Sequence, residues 1–248
     1  MSLLEMKGIK KNFGAVQALK GVDFQIEEGQ VIGLLGDNGA GKSTLIKIIA
    51  GYYHQDDGVI KWEGKEIFCR TPAESRQMGI EVVYQDLALV NLLSVWRNFF
   101  LGREIETKKG IFKFLDKKKM IDISRKALQG LGIEIPNVNS AVAFLSGGQR
   151  QTIAVGRGVY FGAKLLVLDE PTAAVSLREV EAILQLIEEV SKRGIAVIFV
   201  AHNIYHVHRV AERFVILEQG IKVADVKKSD GYSAEDIMDI MLGRKQVK

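Results

Sequence analysis

Cysteine is almost missing from these 248 residues: Cys69 stands alone. An internal disulfide is therefore excluded, and the chain suits a reducing compartment. Apolar runs never exceed strand length. A soluble protein is expected, with any membrane association supplied by a partner. No basic stretch followed by an apolar one opens the chain, so no export signal is expected either. Charge of one sign is also lacking, because 34 Lys and Arg face 30 Asp and Glu. Basic residues gather at Lys108–Lys109, Lys117–Lys119 and Arg244–Lys248 with no aromatics interleaved. That pattern describes a solvated face and tail, and nucleic acid is not an expected partner. What is present suffices for a core: 47% of residues are hydrophobic, and the length suits one α/β domain with room for an inserted subdomain.

Gly36–Thr44 reads GDNGAGKST and satisfies the G-x4-G-K-[ST] pattern. Its context fits: Gln30–Leu35 reads as a short buried strand, and Lys42–Ala50 has helical apolar spacing. A strand, a glycine-rich turn and a helix start would aim the amides of Asn38–Ser43 at phosphate oxygens. Asp37, Asn38, Ala40 and Thr44 complete the cradle around Gly36, Gly39 and Gly41. Lys42 would reach the β- and γ-phosphates, and Ser43 would ligate Mg²⁺.

Leu145–Arg150 (LSGGQR) looks like a second anion site. Ser146 is a good helix N-cap, and Gly147, Gly148 and Gln149 would expose amides at a helix start. One nucleotide needs one such cradle, so the second makes sense facing ATP held by another copy. Downstream, Lys164–Leu168 reads as a central parallel strand, which puts Asp169 and Glu170 at its C-terminal edge. There Asp169 would hold Mg²⁺, and Glu170 could take a proton from an attacking water.

Periodicity organises the rest. Val22, Phe24 and Ile26 alternate with polar residues, and Val59–Trp62 is extended, which predicts an antiparallel β layer. Buried parallel strands are predicted at Gln30–Leu35, Ile80–Tyr84, Leu165–Leu168 and Ile195–Val200. Residues 87–144 lack strand patterning, and Lys117–Leu131 has helical spacing. The predicted division is a core of 1–85 and 157–248 around a helical insert of 86–156. Further helices are predicted before Phe161 and over Ser176–Arg193, with a terminal hairpin around Gln219–Gly220. His202, His206 and His208 invite a metal reading, but no cysteine joins them; His206 and His208 are expected on a helix surface.

The order of these motifs resembles the ATP-binding cassette (ABC) ATPases. The resemblance implies an α/β fold with a P-loop, RecA-like core, an antiparallel β layer and the helical insert. It further implies that Gln85 touches Mg²⁺, that His202 contacts the γ-phosphate and that Phe13 stacks on adenine. Phe13–Phe24 and Gly79–Gly102 are similar to the monosaccharide-uptake branch of that family. The implied partners are a second cassette (identical or not), membrane permease subunits and, indirectly, a periplasmic or extracellular sugar-binding protein. The implied place is peripheral, on the cytoplasmic side of the inner membrane. The stretch after His202 is too short for the regulatory domain of maltose-type importers. Non-transport members form the rival reading; repair members carry coiled coils and translation members two cassettes, which leaves an iron–sulfur assembly factor. Two positions depart from the family pattern: Ser176 stands where an Asp is common, and Ala201 where a Ser is common. An uncharged Ser176 predicts looser coupling between cassettes.

Overall fold

The structure is a computed structural model and describes residues 2–109 and 112–247. Two long strands open it, β1 (Ser2–Phe13) and β2 (Val16–Glu27), followed by the short buried β3 (Val31–Leu35) and helix α1 (Lys42–Ile49). Then come β4 (Asp57–Trp62), β5 (Lys65–Ile67), α2 (Pro72–Gln77) and β6 (Ile80–Val83). A middle region holds α3 (Val95–Phe100), β7 (Glu106–Lys109), β8 (Phe112–Leu115), α4 (Lys117–Gln129) and α5 (Gly147–Tyr160). The chain continues through β9 (Leu165–Asp169), α6 (Leu177–Lys192), β10 (Ala196–Val200) and α7 (Ile204–Val210). It closes with β11 (Arg213–Glu218), β12 (Ile221–Lys227) and α8 (Ala234–Met241).

The central sheet has the order β12-β11-β3-β10-β9-β6, with only β12 antiparallel. The inner strands β3, β9 and β10 are apolar at successive positions because both faces are covered. Val31 and Leu35 point into one core with α3, α6 and α7, whereas Ile32 and Leu34 point into another. That second core lies under the antiparallel sheet β2-β1-β4-β5, with Leu45, Ile46, Ile48 and Ile49 of α1 packed into it. Fully buried Phe99 and Phe100 anchor the middle region to the first core, each contributing on the order of 2–3 kcal/mol by burial.

Three expectations change. Residues 87–144 do contain strands: β7 and β8 pair as a hairpin. Phe112–Leu115 is exposed at every position, so no buried face imposes an apolar alternation that the sequence could display. His206 and His208 are half-buried rather than on the surface. The first ring lies 3.2 Å from Thr172 Oγ1, and the second stacks on Phe214 and reaches the Tyr232 carbonyl at 2.9 Å. Finally, α5 runs unbroken through residues 156 and 157. Lys117–Lys119 is solvated, and Lys245 pairs with Asp236; the side chains of Lys108 and Lys109, and all of Lys248, lie outside the described residues.

Candidate nucleotide site

Parallel strands all end at one sheet edge, and that is how distant motifs meet. Leu34 and Asp169 both stand in register with Val200, and Val83 stands in register with Leu168. The segments leaving β3, β9, β10 and β6 carry, in turn, Gly36–Gly41, Glu170, His202 and Gln85. The turn after β3 can close only with glycine at its start. At Gly36, φ is +140°, and a Cβ would lie 2.2 Å from the Leu217 carbonyl oxygen. No side chain caps α1, so its first amides remain for a ligand.

A pocket of about 480 Å³ opens over that helix start. Asp37–Thr44, Asp169, Glu170 and His202 line it, together with Val16, Gln17, Ala18 and Lys20 of the β1–β2 ribbon and Gln219. Lys42 is buried, and its Nζ donates to the carbonyls of Gly36 (2.5 Å) and Asp37 (3.0 Å). Burial pulls the Lys42 pKa down, partly offset by Glu170, Asp169 and Asp37. Burial pushes the Asp169 carboxyl up, and the neighbouring Glu170 charge adds to the effect; Lys42, Lys47 and His202 oppose it. Glu170 has a left-handed backbone, φ +52°, which turns the chain sharply off β9. Its amide donates to the Val200 carbonyl at 2.8 Å, and its Oε1 lies 2.8 Å from His202 Nε2.

Besides the signature loop, three predicted residues lie outside this pocket's lining: Gly36, which forms the turn beneath it, Gln85 and Phe13. Gln85 lines an adjoining cleft of about 350 Å³ with Gly147, Arg150, Gln151 and, shared between both, Glu170. Phe13 is exposed and meets Tyr53 edge-on at 5.1 Å. The signature residues Ser146–Gln149 are likewise absent from the P-loop pocket. Ser146 caps α5 by accepting from the Gln149 amide at 3.2 Å, as its residue type predicts. The Gly148 amide is already taken, donating to Glu179 Oε1 at 3.1 Å.

Residues 19–173 match the model of the ABC transporter family. The chain belongs to the ABC transporter family. At 47% identity it is similar to a xylose/arabinose import ATP-binding protein of Sulfolobus acidocaldarius, across 96% of this chain and 93% of that one. At 44% it is similar to a fructose import ATP-binding protein of Rhizobium meliloti, across 98% and 95%. A ribose import ATP-binding protein of Caldanaerobacter subterraneus shares 37%, with 98% of this chain covering 48% of that longer one. An ATP-binding cassette solved in its ADP conformation superposes with a TM-score of 0.82 at 27% identity, covering 98% and 95%. A cassette solved as a dimer with ADP and phosphate gives 0.74 at 25%, covering 90% and 98%. The fold is that of an ABC ATPase.

Within this cassette, sequence reasoning missed Glu179 and the ribbon residues Val16–Ala18. The first had a legible signal, the S-x-x-E capping box Ser176–Glu179. The ribbon had none, because its place over the pocket follows from the packing of one sheet on another.

Proposed function

We propose that this ABC ATPase hydrolyses ATP as one of a pair of cassettes and so powers sugar uptake through membrane permease subunits. One observation carries the pairing: the P-loop pocket lacks any contribution from its own signature loop. A second copy would supply Ser146–Gln149 to the γ-phosphate, and exposed Phe144 and Leu177 (84% and 85%) beside these loops await such cover. Sugar import, for a monosaccharide, rests on the likeness to the xylose/arabinose, fructose and ribose import subunits. It is favoured on that ground over a non-transport ATPase. No described helix is long and apolar enough to cross a membrane. A peripheral place at the cytoplasmic membrane face, with an external sugar-binding protein upstream, follows from the same likeness.

In this reading phosphate oxygens replace the two carbonyls that now hold Lys42, and Gly39–Thr44 amides wrap the β-phosphate. Ser43 and Asp169 line one pocket, and this hard-oxygen donor set beside Glu170 fits Mg²⁺, with Gln85 close by. Bound with ATP, Mg²⁺ supplies charge neutralisation at the phosphate oxygens. Glu170 takes the proton of the attacking water, and His202, already in contact with that carboxylate, holds the γ-phosphate. The cleft of about 340 Å³ lined by Tyr52, Tyr84, Leu87, Leu89, Arg103 and Arg157 is the seat for a permease segment.

The test is Glu170→Gln. Hydrolysis should fall by about a hundredfold or more, the range that a lost general base produces, while ATP should trap a stable dimer visible by light scattering. Unchanged turnover would sink the assignment. Purification from native membranes should bring a multi-span subunit at equal stoichiometry; recovery with soluble partners alone argues against transport.

A further inference from the structure

The loop that follows Glu170 and the loop that carries Ser146 come from distant stretches, yet one carboxylate holds both. Glu179 is the third residue of α6. Its Oε2 accepts from the Ser176 amide and from the Ser176 hydroxyl, both at 2.8 Å, and its Oε1 accepts from the Gly148 amide at 3.1 Å. The contact is close enough to dictate a residue type. A Cβ on Gly148 would lie 2.6 Å from Glu179 Cβ and 2.7 Å from its Cγ. A Cβ on Gly147 would lie 3.2 Å from Val175 Cγ1, on the loop that ends at Ser176. The N-termini of α5 and α6 thus converge on one negative charge, and each brings a partial positive end to it. Bonding from the Ser146 hydroxyl first, and then from Ser176 and Gly148, holds the Glu179 carboxyl at about 2.

We infer that Glu179 is a positioning residue for the nucleotide bound by the second copy: it fastens the signature loop to the loop leading away from Glu170, so that the two move as one piece. This rests on the paired-cassette reading above. In a pair, Glu170 serves the ATP of its own cassette while Ser146–Gln149 faces the other copy's. Through Glu179 a shift at one site reaches the other by way of its bonds to Ser176 and Gly148. Alanine here leaves the Gly148 amide unpaired and two helix ends of like polarity facing each other. Glutamine keeps the shape but turns a donor toward donors.

Three measurements on the full chain test this: hydrolysis against ATP concentration, nucleotide affinity of the monomer, and ATP-driven dimerisation in a Glu170→Gln background. In Glu179→Ala and Glu179→Gln the Hill coefficient should fall from about 2 toward 1, two being the number of coupled sites. The kcat should drop about tenfold or more, as displaced positioning groups do. ATP-driven dimerisation should weaken, while a fluorescent ATP analogue binds the monomer as before. An unchanged Hill coefficient in folded Glu179→Ala protein overturns the proposal, whether or not kcat or the thermal midpoint falls. Should the parent itself show neither cooperative hydrolysis nor an ATP-trapped dimer, the paired reading fails first and takes this assignment with it.

Discussion

Asp169 and Lys42 are each held in surroundings that disfavour their charge, and this cost belongs to function rather than to folding. The sign follows from linkage. Below the ordinary carboxylate value, about 3.9, Asp169 is protonated in folded and unfolded chains alike and costs nothing. As pH rises through that value and past its raised folded one, folding must accept a buried charge, and stability is lost. Removing the charge with Asp169→Asn should therefore raise the thermal midpoint of the nucleotide-free protein at pH 7. A rise of a few degrees, the shift that about 1 kcal/mol gives a domain of this size, is expected. The gain should vanish near pH 3, and thermal scans across pH would show it; no gain at neutral pH would mean that the attraction to Lys42 outweighs burial. Ser43, Asp169 and Glu170 stand out in the sequence because their chemistry is local, and the fold brings them to one pocket. Glu179 is less legible, because the family pattern places its acid at position 176. The carboxylate stands three residues on and reaches back to Ser176.

Elements with a buried face leave a trace in the sequence, and those without one do not. β3, β9 and β10 announced themselves as apolar runs because both faces are covered. The β7–β8 hairpin is held by its ladder and a Lys113–Glu106 ion pair, and neither leaves a periodic trace. Helix α6 was legible from its amphipathic spacing, and its first turn carries a further consequence. Ser176→Ala removes the cap hydroxyl but leaves the amide that Glu179 also accepts from. It should cost about 1 kcal/mol of stability, a typical N-cap loss, and reduce cooperativity less than Glu179→Ala does. Denaturant unfolding alongside ATP titration separates the two effects; equal loss of cooperativity in both variants would place the coupling in the serine hydroxyl.

For the molecule as a whole, the face proposed for a second copy carries unusual apolar exposure at Phe144 and Leu177. Leu177 opens α6 at 85% exposure, where an acidic residue suits the helix dipole. Leu177→Asp should thus leave thermal stability within about 0.5 kcal/mol, as surface changes do, yet prevent the ATP-trapped dimer of Glu170→Gln. Sedimentation with and without ATP checks it, and a dimer that persists would move the contact elsewhere. The general architecture was legible because parallel strands, a P-loop and their order in the chain leave few ways to fold. Helix α5 spans the border expected for the insert as one helix of 14 residues, about 21 Å long. Its first turn carries the signature amides, and Ala154, Arg157 and Gly158 further along line the cleft proposed for the permease. Such a rod is a lever: a tilt of about ten degrees moves one end by roughly 3–4 Å relative to the other. Closure on a phosphate would then become travel at the membrane side with no hinge along the shaft to absorb the stroke.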